Sequence, residues 1–123
     1  ATVSRILKQA TAQSVEALRG FLRERVLDGL RTFQPTRVTL DFDGSVLSTQ
    51  RRAEGTAVGF NKKKKGARSY YPLFATVAQT AQVLDVLHRS GNVHDSHGAI
   101  SFMRDCIAAV RERLPQVRFV GIA

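Results

Sequence analysis

Cysteine is nearly absent from this chain. Cys106 has no second cysteine to pair with, which excludes a disulfide-stapled scaffold and suits a reducing, cytoplasmic compartment. Its place in a helical pattern reads as a small buried hydrophobe, not a nucleophile. Long apolar runs are missing as well: none approaches the ~20 residues that a membrane-spanning helix needs. The opening Ala1-Thr2-Val3-Ser4-Arg5 lacks the apolar segment of a secretion signal. No membrane partner is expected. Methionine occurs once, at Met103, and the first residue is Ala1, so the chain reads as a piece of a longer protein. Acidic residues are also scarce, ten against nineteen Lys and Arg, for a net charge of +9 and a pI near 10.8. That imbalance favours a polyanionic partner, chiefly nucleic acid.

What is present is one domain's worth of chain, 123 residues with an ordinary 43% hydrophobic content, enough for a single core. The charge is unevenly spread. Arg51, Arg52, Lys62, Lys63, Lys64, Lys65 and Arg68 face one acid, Glu54, so this segment carries +6 of the total. Gly55, Gly59 and Gly66 lie within it, as suits a loop or hairpin. A lysine run alone is commonly just a solvated surface; here it directly follows the most informative stretch of the sequence.

That stretch is Val38-Thr39-Leu40-Asp41-Phe42-Asp43-Gly44-Ser45-Val46. A β-branched, apolar run ends in two aspartates at i and i+2, which share one face of a strand. Like charges on one face repel, and holding them there calls for a cation between them or a reaction that uses two carboxyl groups. An Asx-type turn at Asp43-Gly44-Ser45 is the plainer alternative, although it needs only one of the two aspartates.

The remaining elements follow from periodicity. Residues 3–31 read as helix, with Val15, Leu18, Leu22, Val26 and Leu30 as the apolar stripe, Thr11 or Ser14 as N-cap, and Arg19, Arg23, Glu24 and Arg31 on the wet face. Pro35 ends the helix and introduces a strand from about 37 to 48. Residues 70–78 read as a second strand, with Pro72 suggesting an edge or a bulge. Residues 81–89 read as a third, hairpin-paired with the second; imperfect alternation keeps helix as a rival there. Ser90-Gly91-Asn92 is a turn. A helix over 97–114, capped by Asp95 or Ser96, buries Ile100, Met103, Cys106, Ile107, Val110 and Leu114. Pro115 stops it before a strand at 117–122. Asp85 and Asp105 are assigned to solvated faces, and His88, His94 and His97 lack zinc-ligand spacing. A helical crossover leads into a parallel strand, so the last strand should lie parallel to the first, with 37–48 central and antiparallel to the hairpin.

Two resemblances meet at Asp41. Leu40 to Leu47 (LDFDGSVL) is similar to the nucleophile motif of haloacid-dehalogenase phosphatases, which would make Asp41 the nucleophile and Asp43 the acid/base. It covers fewer than ten residues. The second resemblance runs through most of the chain. Asp43-Gly44-Ser45, the basic segment from Glu54 to Gly66, Ser69-Tyr70-Tyr71-Pro72-Leu73 and Gly91-Asn92-Val93-His94 resemble, in order and spacing, the catalytic domain of DDE transposases of bacterial insertion sequences. Even Thr2-Val3-Ser4-Arg5 is similar to the segment before that core.

This second resemblance implies an α/β, RNase H-like mixed sheet, truncated after its fourth strand. It implies a helical lead-in at 1–34 and a partial catalytic domain at 35–123. The implied activity is DNA strand cleavage and transfer with Mg²⁺ or Mn²⁺. Asp43 is then the first catalytic carboxylate and metal ligand, and Asp41 a second candidate catalytic and metal-binding carboxylate, at a position that is often acidic but lies outside the triad. The second Asp and the Glu of the triad are expected beyond Ala123, leaving this piece inactive alone and its metal site empty. Arg51, Arg52, Lys62, Lys63, Lys64, Lys65 and Arg68 would track the DNA backbone. Tyr70 and Tyr71 are candidates for stacking on a base, with hairpin packing as the commoner role of such residues. A bacterial, nucleoid-associated protein is implied, and homo-oligomeric assembly is compatible with it. A third reading, a non-catalytic basic DNA-binding module, shares the same basic segment.

Overall fold

A computed structural model describes residues 2–49, 57–58, 68–93 and 98–123. Two helices come first, α1 (Thr2–Lys8) and α2 (Ala12–Arg31). The single helix expected over 3–31 is thus divided. The break has a local cause: Thr11 takes extended backbone and caps α2 in a reciprocal box with Ser14, whose backbone N–H donates to Thr11 Oγ1 at 3.1 Å while Thr11 N–H donates to Ser14 Oγ at 2.8 Å. Such a box satisfies amides that have no partner inside a helix.

The strand that follows, β1 (Arg37–Gly44), is shorter than the expected 37–48. After Ser45 and Val46 the chain enters β2 (Leu47–Thr49), which belongs to a different sheet. β3 (Ala57–Val58) and β4 (Arg68–Tyr70) complete that small sheet in the order β2-β4-β3. The strand expected at 70–78 is likewise split, into β4 and β5 (Leu73–Val77). Pro72, with no N–H to give to a ladder, sits at the point where the chain changes sheets. It is fully buried between the two strands, at neither an edge nor a bulge.

The main sheet is mixed, in the order β6-β5-β1-β7, with β6 at Gln82–Leu87 and β7 at Phe119–Ile122. β1 is central. It runs antiparallel to β5, with Leu40 opposite Val77 and Asp43 opposite Phe74, and parallel to β7, with Val38 opposite Val120. These pairings agree with the sequence expectation. β6 settles the strand-or-helix question in favour of strand, and its irregular alternation has a structural origin. Thr76 pairs with Val83 but Ala75 pairs with Asp85, so Leu84 is an extra residue in β6. This bulge turns both Leu84 and Asp85 inward, at 1% and 6% exposure.

The crossover helix α3 (Ala99–Arg113) has Gly98 as its N-cap and so begins two residues after the expected 97, and the expected caps Asp95 and Ser96 lie outside the described residues. α2 and α3 pack on one face of the sheet. Leu27 and Leu30 of α2, Phe102, Cys106 and Val110 of α3, and Val38, Leu40, Ala75 and Val77 of the sheet form one core. The expected stripes are corrected in part. Val15, Leu18 and Leu22 of α2 remain about half exposed, and Leu27 takes their place in the core. In α3, Ile100 is exposed, and Phe102, absent from the expected stripe, is buried.

Asp85 requires the largest correction. It is not solvated: Arg19 Nε and Nη2 donate to its two carboxylate oxygens at 2.8 and 2.9 Å, and Arg23 Nη2 lies 3.7 Å away. Arg19 and Arg23 accordingly leave the wet face to pin α2 on the edge strand.

Candidate functional site: the uncovered end of the central strand

Alternation along β1 sorts its side chains cleanly. Val38 and Leu40 are buried under the helices, and Phe42 meets Phe102 edge-on at a centroid distance of 6.1 Å. Thr39, Asp41 and Asp43 therefore occupy the opposite face, where α2 and α3 do not pack. Asp41 is half-buried and Asp43 exposed. The register sets Thr76 beside Asp41 and Phe74 beside Asp43. Two carboxylates thus share one face at the carboxyl end of the central strand, as the i, i+2 spacing predicts.

The strand end is tied down. Ser45 N–H donates to Pro72 O at 3.0 Å, so the Gly44-Ser45 step is bonded to the β4–β5 link. The small sheet begins two residues later, at Leu47. Of the seven basic residues expected to contact DNA, only Arg68 lies among the described residues, as the first residue of β4. Arg51, Arg52, Lys62, Lys63, Lys64 and Lys65 lie outside them. The described strands nevertheless fix where the basic segment departs and returns: β2 and β4 are antiparallel neighbours, with Thr49 opposite Arg68.

The tyrosines are engaged within the chain. The Tyr70 ring packs on His88 at a centroid distance of 4.6 Å, and Tyr71 lies against the Arg89 guanidinium, whose Cζ is 4.9 Å from the ring centre. Arg89 went unnoticed in the sequence. A lone arginine after a strand carries no motif signal, and only its burial, at 5% exposure, draws attention to it. Cys106 is fully buried, and burial pushes its thiol from 9.0 to about 12, which fits an inert packing role. An apolar cleft lined by Leu30, Phe33, Pro35 and Val38 lies at the other end of β1 and is separate from the carboxylates.

The donor set suits a hard divalent cation in part. Mg²⁺ is commonly held by one or two carboxylates, with water and phosphate oxygens completing six ligands. Asp41 and Asp43 can supply those carboxylates. Among the described residues no cluster of three or more His, Cys, Asp or Glu side chains is placed to hold a metal.

These features define an α/β domain with paired carboxylates at the open end of a central strand. The chain belongs to the transposase DDE domain family, group 1, whose family model matches residues 1–121. No curated protein and no solved structure matches it. The phosphatase resemblance, confined to residues 40–47, yields to a match over nearly the whole chain. Membership makes this a transposase-type domain, with DNA as the family's partner and divalent metals in its general use. No helix among the described residues is long and apolar enough to cross a membrane.

Proposed function

We propose that this chain is part of an insertion-sequence transposase of bacterial type that cleaves and joins DNA strands with Mg²⁺ or Mn²⁺. Asp43 is the first catalytic carboxylate and Asp41 a supporting acidic residue. The observation that carries this reading is the placement of both aspartates on the face of β1 that the helices leave uncovered, at the strand's carboxyl end. The sheet order, with an antiparallel hairpin on one side of β1 and a parallel crossover strand on the other, supports an RNase H-like core. In this reading residues 35–123 carry the catalytic sheet and residues 1–34 lead into it, although α2 lends Leu27 and Leu30 to the same core.

Phosphodiester cleavage needs an activated water or 3′-hydroxyl and a stabilised leaving oxygen, and divalent metal ions supply both. Asp43 and Asp41 would provide carboxylate ligands, with further ligands coming from outside the described residues. The basic segment with Arg51, Arg52, Lys62, Lys63, Lys64, Lys65 and Arg68 would hold the DNA backbone across the strand end, the role phosphate contacts serve in setting orientation without reading sequence. Homo-oligomeric assembly and nucleoid association fit the same reading.

The test uses the full-length transposase that contains this sequence. Asp43→Ala is expected to abolish nicking of DNA, and Asp41→Ala to cost less. Phosphomonoester turnover that depends on Asp41, without DNA nicking, supports the phosphatase chemistry instead. Salt-sensitive DNA binding with no nicking under any metal supports the simple basic module.

A further inference from the structure

Next to Asp43, the chain builds a buried clamp whose parts are otherwise hard to explain. Tyr71 N–H donates to Arg89 O at 2.8 Å, and Arg89 Nε donates back to Tyr71 O at 2.8 Å. The Arg89 guanidinium also lies over the Tyr71 ring, a contact that gains strength when it is shielded from water. Arg89 is buried, at 5% exposure. The phenol end of the same ring covers Gly44: a Cβ built there would stand 2.8 Å from Cε1, Cζ and Oη of Tyr71. Any side chain at 44 must therefore displace the ring.

The far side of the clamp is just as close. Gly91 N–H donates to Ser69 O at 2.9 Å, and a Cβ at 91 would meet that backbone oxygen at 2.6 Å. Backbone does not move aside as a side chain can, so the turn after Arg89 is locked to β4. The links 71–72 and 89–91 thus form one rigid block, and Gly44 and Ser45 rest on it through the Tyr71 ring and the Ser45–Pro72 hydrogen bond. A buried guanidinium is a costly choice for packing alone. Here it lies over a ring that touches the strand end bearing the carboxylates.

We propose that Tyr71 and Arg89 are positioning residues, which fix the backbone at Gly44 and so hold Asp43 on the open face in the orientation needed for a divalent cation. This rests on the metal-dependent reading above, and the experiment keeps the two separable. The 123-residue chain is labelled with ¹⁵N, and amide hydrogen exchange is followed in wild type, Tyr71→Leu, Tyr71→Phe, Gly44→Ala and Arg89→Lys. Tyr71→Leu, Gly44→Ala and Arg89→Lys are expected to speed exchange at Ser45 by about tenfold or more, with the α3 amide of Val110 unchanged, because local opening is independent of the global reaction. Tyr71→Phe keeps the ring over Gly44 and is expected to lie nearer wild type than Tyr71→Leu.

In a parallel titration with Mn²⁺ alone, paramagnetic broadening of the Asp43 amide should need about tenfold more metal in the same three variants, a factor of ten being ~1.4 kcal/mol. Ser45 exchange in Tyr71→Leu within about twofold of wild type overturns the clamp, as does loss of protection at Ser45 and Val110 together, which marks global unfolding and not local positioning. Should Gly44→Ala not fold, Tyr71→Leu and Arg89→Lys decide by the same readings. If Mn²⁺ leaves Asp43 unbroadened in wild type, the orientation for metal is overturned, whatever Ser45 shows, while the metal-dependent reading is decided by Asp43→Ala nicking in the full-length protein.

Discussion

Removing Arg19 should destabilise the fold more than removing Asp85, although they are the two ends of one ion pair. The Asp85 side chain is 3% exposed, while those of Arg19 and Arg23 are 29% and 24% exposed. In Arg19→Ala the carboxylate stays buried, with Arg23 at 3.7 Å and the Val86 N–H at 2.8 Å as remaining support. Breaking a buried pair from one side costs about 3–5 kcal/mol; with Arg23 still nearby, about 2–4 kcal/mol is expected. In Asp85→Ala the guanidinium groups left behind can reach water, so the cost falls to about 1–2 kcal/mol, nearer the value of a partly exposed charged hydrogen bond. The Asp85 hydrogen bond also raises the Arg19 pKa, the leading cause of that shift, so Arg19 stays charged throughout any practical pH range.

The assay is urea unfolding of the 123-residue chain, followed by circular dichroism. With a slope of about 1–3 kcal/mol per molar, Arg19→Ala should lower the midpoint by about 1–2 M and Asp85→Ala by about half as much. The double replacement Arg19→Met with Asp85→Leu should recover most of the loss, since apolar groups of similar volume commonly replace a buried pair without penalty. An Asp85→Ala loss equal to or greater than that of Arg19→Ala would refute the reasoning, because it would mean that the carboxylate is not the trapped charge.

Three further outcomes follow from the same geometry. Cys106, raised from 9.0 to about 12 chiefly by burial, should resist alkylation in the native chain at pH 8 and react on unfolding; because the unfolded thiol ionises first, its share of the stability is complete below pH 9 and is lost as pH rises toward 12, which unfolding midpoints in Cys106 and Cys106→Ala chains can read. Leu40→Ala removes a fully buried side chain beneath both helices and should cost about 2–5 kcal/mol in the same urea assay, against less than about 1 kcal/mol for Val83→Ala, whose side chain is 46% exposed. Replacing Lys62, Lys63, Lys64 and Lys65 by alanine should flatten the salt dependence of duplex binding by up to about four in the log–log slope, near one unit per lost phosphate contact; an unchanged slope in a fluorescence-anisotropy titration rules out these contacts.

How much of this was legible in the sequence varies with the kind of signal. Asp41 and Asp43 were readable because a strand's period of two needs no tertiary information, and the parallel return of β7 followed from the length of the α3 crossover. Helix packing was less legible. Val15, Leu18 and Leu22 have the right spacing but lie about half exposed, while Leu27, off the expected stripe, is buried. Periodicity shows which residues share a helix face, not how much of that face a short sheet can cover. The small second sheet was missed because β2, β3 and β4 span only two or three residues each, below the length at which alternation can be detected. Pro72 did mark a disruption, but a proline between strands and a proline at an edge look alike without a partner strand.

The bulge at Leu84 shows why Asp85 could not be placed by pattern. In an unbroken strand Leu84 and Asp85 would face opposite ways, and one would be solvated; an aspartate beside a buried leucine is then naturally given to water. The extra residue between the Thr76–Val83 and Ala75–Asp85 pairs turns both inward. A carboxylate on the core face requires a cation, and the sequence holds that answer 66 residues earlier, in Arg19. Arg19 and Arg23 then fix how α2 lies on β6, the edge strand of the sheet whose centre carries Asp41 and Asp43. The same ion pair therefore bears on the candidate site from a distance: it keeps α2 on the core face and leaves the carboxylate face of β1 free of this helix. Loosening it should affect stability first, while Ser45 protection, which depends on Tyr71 and Arg89 at the far end of the hairpin, should stay as it is in the folded fraction.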